Sequence, residues 1–164
     1  MEVYPLVVTA HVVLVIFAFM AHGVSAFAMF GVRRETDRAR IGAMLDLSSS
    51  ALMLAGIGLT LAVLSGIVAA LMAGSFGRAW PWVSIVVVVA AWIAMTPLAA
   101  GPMNEVRKAL GQAVRGDKPG DPPRVPADDA ALASTVRRLR PEAAATIGLV
   151  ALVVLVWLME AKPF

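Results

Sequence analysis

Residues 47–77 read LSSSALMLAGIGLTLAVLSGIVAALMAGSFG, without one Asp, Glu, Lys or Arg. A helix crosses the roughly 30 Å hydrocarbon core of a bilayer with about 20 mostly apolar residues, so this stretch is long enough to span. Three more charge-free stretches, 3–32, 79–104 and 143–159, share the property. The last, AAATIGLVALVVLVWLM, sits at the short limit, but its Leu, Val, Ile and Trp content suits a span whose flanks reach the headgroups. The expected fold is an all-α membrane protein, a four-transmembrane-helix bundle in a single domain 1–164, with spans near 6–30, 47–73, 80–101 and 142–159.

Composition agrees. An apolar share of 60% against 15% charged residues departs from the soluble norm of about 45–50% and about 25%, and the charges are clustered between the spans. The first stretch is not expected to be a cleaved signal peptide, because MEVYPLVV carries an acid and no Lys or Arg ahead of an overlong apolar run. The chain has no Cys, which excludes disulfides, thiolate metal sites and Cys nucleophiles.

Twelve of the fourteen basic residues fall in two loops. Arg33, Arg34, Arg38 and Arg40 follow the first span. Arg107, Lys108, Arg115, Lys118, Arg124, Arg137, Arg138 and Arg140 lie between the third and fourth. By the positive-inside rule both loops are cytoplasmic and both termini are outside, an N-out/C-out topology in a bacterial inner membrane. Cations placed beside spans argue for the lipid bilayer as partner and against nucleic acid. Trp80 and Trp82 at the short second loop, with Tyr4 and Trp157, suit the outer headgroup belt.

The third loop is rich in Pro. Its centre, GDKPGDPPRVPAD, defeats helix and strand, so residues 116–127 are expected to be a flexible cytoplasmic linker. NEVRKALGQAV before it and DDAALASTVRRLR after it are expected to lie along the inner interface. Arg107, Lys108, Arg137, Arg138 and Arg140 on those arms are candidates for contact with the anionic membrane surface. Pro97 and Pro102 predict a bend or hinge near the cytoplasmic end of the third helix.

At 100° per residue, His11, Val15, Ala18, His22, Ser25, Ala26 and Met29 share one face of the first helix, while Val13, Ile16, Phe17, Met20, Val24 and Phe27 share the other. The bulky face suits lipid and the small, polar face suits neighbouring helices. Both histidines should therefore point into the bundle. Their eleven-residue spacing gives about 16 Å of rise, too far for one metal ion. Two readings are open: structural imidazoles donating to neighbouring helices, or axial ligands of b-type haem, with a homodimer or other membrane subunits completing the ligand set. Copper is a weaker option because the nine Met residues do not cluster.

On the second helix Gly58, Ala62, Ser65 and Gly66 form part of a small-residue face expected to pack against another helix inside the monomer, or at a dimer interface. Asp46 is expected to open this helix at the inner rim, pairing with Arg33, Arg34 or Arg40.

The run HGVSAFAMFGVRRETDRARIGAMLDLSSSA, behind an earlier His11, resembles a family of small bacterial four-helix membrane proteins known as a domain of unknown function. The likeness covers about residues 6–115. It is carried by His11, His22-Gly23, Arg33-Arg34-Glu35, Leu45-Asp46-Leu47-Ser48 and the tryptophans opening the third helix. In outline it is also similar to the copper-resistance D type of membrane domain, whose further His and Met positions are not matched. The resemblance implies topology and brings no activity with it.

The function expected from sequence is that of a non-enzymatic inner-membrane subunit or accessory acting through packing surfaces. The alternatives are a haem b redox protein using His11 and His22 and, ranked lower, a small-solute or ion transporter.

Overall fold

The computed structural model describes residues 3–114, 116–118 and 120–163. Within them the secondary structure is helical, with no strand: α1 Val3–Arg34, α2 Arg38–Met72, α3 Trp80–Ala109, α4 Asp129–Val136 and α5 Pro141–Ala161. Four stretches are long and apolar enough to cross a membrane: α1, α2, α3 and the α4–α5 run, whose apolar part is α5. At 1.5 Å per residue, α1 with 32 residues and α2 with 35 reach about 48 and 52 Å. Both outrun the hydrocarbon layer.

That excess length corrects the expected start of the second helix. α2 begins at Arg38 behind Asp37, whose carboxylate accepts the Arg40 N–H at 2.9 Å. Asp46 lies more than two turns inside. A charge-free stretch marks where lipid contact begins, whereas helical hydrogen bonding begins at the nearest competent cap. Ile41 and Leu45 in the intervening turns are fully buried.

α1 packs chiefly on α2, and α3 chiefly on α5. At the end where the α1–α2 turn and α4 lie, one core joins the pairs: Met29 and Val32 from α1, Ile41 and Leu45 from α2, Met103 and Val106 from α3, with Leu132, Val136 and Leu139 from α4 and its exit. α4 therefore plugs the end of the bundle instead of only lining an interface. Its Asp128 cap accepts the Ala131 N–H at 2.7 Å, and Arg38 holds Asp129 and the Ala127 carbonyl, each at 2.7 Å. α4 and α5 are separated at Arg140, which precedes Pro141 and takes φ −122°, ψ 65°. The proline ring disfavours the helical region for the residue before it.

Residues 112–127 form neither helix nor strand where they are described. The Ala127 N–H donates to the Ala109 carbonyl at 2.9 Å, and Pro126 packs on Gly111, which turns the chain at φ 78°. Arg124 and the Val114 N–H, both bonded to Asp117, hold its carboxyl below the usual carboxylate range. At the opposite end, Gly74 and the single turn Ser75–Gly77 join α2 to α3. There Trp82 donates its indole N–H to the Phe76 carbonyl and packs edge-on against the Phe76 ring at 5.3 Å. α3 continues through Pro97 and Pro102.

Candidate functional site

The small, polar face of α1 is the buried one. Ala18, Ser25 and Met29 are buried, while Val13, Ile16, Phe17, Met20, Val24 and Phe27 are exposed. Both histidines meet a neighbouring helix at a glycine.

His11 places Nδ1 2.8 Å from the Ala62 carbonyl of α2 and 3.3 Å from Ser65 Oγ. A carbonyl only accepts, so this contact requires the proton on Nδ1. The ring lies over Gly66, where a Cβ would stand 2.8 Å from His11 Cε1. His22 turns toward α5. Its Nε2 is buried without a hydrogen-bond partner, 2.7 Å from where a Cβ on Gly148 would stand.

The expected packing residues Gly58, Ala62, Ser65 and Gly66 lie along this α1 contact. A Cβ on Gly58 would come within 2.8 Å of Phe17 and 3.3 Å of the Ala18 backbone, and Ala62 is buried. Ser65 donates to the Ala62 carbonyl at 2.9 Å. Below them, Ser25 of α1 and Ser48 of α2 share a buried 2.7 Å hydrogen bond, and Ser48 also donates to Met103 Sδ at 3.7 Å. Helical phase places Ser25 inward, but its partner was not legible because 48–50 are all Ser.

The Nε2 of His22 lies against the backbone of α5 at Gly148, which closes that atom to iron, while the Nδ1–H of His11, bonded to a carbonyl, leaves only its Nε2 as a nitrogen that a metal would take. This pair does not fit a haem held within the chain. Among the described residues no three His, Cys, Asp or Glu side chains come together as a metal site.

The rim pairings differ from expectation. Asp46 bonds Arg107 at 2.8 Å, and neither Arg33 nor Arg34. Eight residues beyond Arg38, it stands about 12 Å up α2 from the turn, level with the end of α3. Arg33 instead donates from Nη1 to both carboxylate oxygens of Glu142 at the start of α5, at 2.6 and 2.7 Å. Arg34 is exposed and has no carboxylate partner among the described residues.

Arg107 is also removed from the candidate membrane-surface set. Its side chain is only 13% exposed and binds Ser49 at 2.9 Å and Gln112 at 3.1 Å besides Asp46. Lys108 pairs with Glu105 at 2.7 Å. The Gln112 carboxamide lies over Gly42 of α2, where a Cβ would be 2.8 Å from its Nε2. Glu142 and Gln112 gave no local signal in sequence, since each acts on a helix far away in the chain. At the α1–α2 turn the Glu35 carboxylate accepts the Asp37 and Thr36 N–H groups, which hold it below the usual range.

The arrangement supplies helix-to-helix polar locks at three levels: His11 on α2, the Ser25–Ser48 pair, and the Arg107 and Arg33 clamps at the basic end. No protein-family model, curated protein or solved structure matches this chain.

Proposed function

We propose that the chain is a non-enzymatic multi-pass subunit or accessory of a larger assembly in a bacterial inner membrane, with both termini outside and the basic end in the cytoplasm. The orientation is supported by the twelve basic residues that the sequence places in the first and third loops. The assembly role is supported by one face of α3. Val89, Trp92, Ile93, Thr96, Pro97 and Ala100 recur at three- and four-residue spacing, and all are exposed.

That stripe is poorly suited to lipid alone. Trp92 lies twelve residues past Trp80, about 18 Å along the helix, at a depth where water cannot serve its indole N–H. Pro97 removes the donor for the Ile93 carbonyl on the same face. A transmembrane helix of another subunit would satisfy both groups.

The absence of native cysteines allows a clean test. A photo-crosslinker attached at W92C in native membranes should give one discrete adduct, identified by mass spectrometry and reproduced from T96C. The same group at F27C, on the bulky face of α1, should react with lipid only. Equal lipid labelling at positions 92 and 27, with no protein adduct, would overturn the assembly reading.

A further inference from the structure

The cations at the basic end divide into two groups. Arg33, Arg38, Arg40, Arg107, Lys108 and Arg124 each hold a carboxylate within 4.0 Å. Arg34, Lys118, Arg137, Arg138 and Arg140 hold none among the described residues and are exposed, and of these Arg137, Arg138 and Arg140 are the ones that cluster. They fall within the four positions 137–140 immediately before α5, the segment that enters the apolar layer. Their placement is fixed from both sides, since Val136 and Leu139 are buried in the core and Pro141 is fully buried at the first turn of α5. Arg138 also borders a shallow groove between α3 and α4 lined by Pro102, Glu105 and Thr135, where the Glu105 charge is already held by Lys108.

We infer that Arg137, Arg138 and Arg140 form a docking site for anionic phospholipid headgroups at the membrane end of α4. A guanidinium offers paired donors that match phosphate oxygens, and it loses less hydration than an ammonium when it does so. The free cations sit at headgroup level because the helix they precede is apolar from its second turn onward. Six cations at this end are paired with protein carboxylates, whereas Arg137, Arg138 and Arg140 are three unpaired cations within four residues, which leaves a concentrated positive charge facing the lipid. The inference requires α5 to cross the bilayer and is independent of any partner at α3.

The test uses the full chain purified in zwitterionic detergent, with lipid binding read by native mass spectrometry and by thermal unfolding. Phosphatidylglycerol should bind more tightly than phosphatidylcholine and raise the unfolding midpoint. R137Q/R138Q/R140Q should weaken phosphatidylglycerol binding on the order of 100-fold, at about 5-fold per cation, while R78Q/K162Q, lacking cations elsewhere, should bind as the parent does. R137K/R138K/R140K should retain most of the selectivity. If the triple Gln variant does not fold, R138Q and R140Q alone should each show the 5-fold loss. Unchanged phosphatidylglycerol affinity in the Gln variants overturns the proposal. So does equal binding of the two lipids by the parent, or an equal midpoint shift from inorganic phosphate alone. Loss of the Trp92 adduct with lipid selectivity intact would sink the assembly reading and leave this one standing.

Discussion

The imidazole of His11 packs on Gly66 through Cε1, its Nδ1 donating to the Ala62 carbonyl one turn away at 2.8 Å. In a helix interior Gly→Ala ordinarily gains about 1 kcal/mol of propensity. Here the new methyl would press on a ring tied down by a hydrogen bond. G66A is expected to lower stability by about 1–3 kcal/mol through overpacking and loss of that bond. G66A/H11A should be more stable than G66A, because the ring that clashes is gone. Thermal unfolding in detergent reads both, and a G66A variant more stable than the parent would refute the contact.

The Asp46–Arg107 pair ties α2 to α3. Asp46 is 69% exposed and Arg107 is not, so the two truncations should differ. D46A leaves Arg107 with Ser49 and Gln112 and is expected to cost under about 1 kcal/mol, since solvent screens exposed pairs. R107A also strips Ser49 and Gln112 of their partner and should cost roughly twice as much. A double-mutant cycle should give a coupling of about 0.5–1 kcal/mol. No coupling there, with coupling found between Asp46 and Arg33, would restore the pairing expected from sequence.

What sequence showed and what it hid follow the range of the forces involved. Burial of the α1 face was readable because a 3.6-residue period is local to one helix, and Phe27 and Met20 point outward as that period requires. The small face at Gly58 and Gly66 was readable for the same reason. The partner of each polar group was not. Asp46 finds Arg107 across 61 residues and Arg33 finds Glu142 across 109, distances at which only the helix arrangement decides. The role of α4 was hidden too: a Pro-rich, charged neighbourhood masked the three buried side chains Leu132, Val136 and Leu139.

Glu35 predicts a pH effect in the α1–α2 turn. The N–H groups of Asp37 and Thr36 favour its ionised form, and Arg40 stands 3.8 Å away. Its folded pKa is therefore below the unfolded one. The stabilisation is complete above the unfolded value and disappears as pH falls through the folded value. In NMR titrations the Thr36 and Asp37 amides should shift with one midpoint lower than that of an unstructured Glu peptide. Glu35→Gln should abolish this step. A midpoint at or above the peptide value would show that the two N–H groups do not hold the carboxylate.

The last prediction concerns the plug at the basic end. Leu139 is 1% exposed within a core shared by α1, α2, α3 and α4, whereas Val125, only 14 residues earlier, is 87% exposed. If residues 110–140 only trailed along the membrane surface, truncating either side chain would change stability little. With α4 seated, Leu139→Ala removes buried methyl groups and leaves a cavity, at a cost of about 2–4 kcal/mol. Val125→Ala is expected to fall within about 0.5 kcal/mol of the parent. Proteolysis distinguishes the two states further. In L139A, cleavage should spread from the Pro-rich segment into 128–140, because a loosened α4 exposes its backbone before the spanning helices open. Equal stability and identical cleavage in the two variants would mean that α4 does not close the bundle.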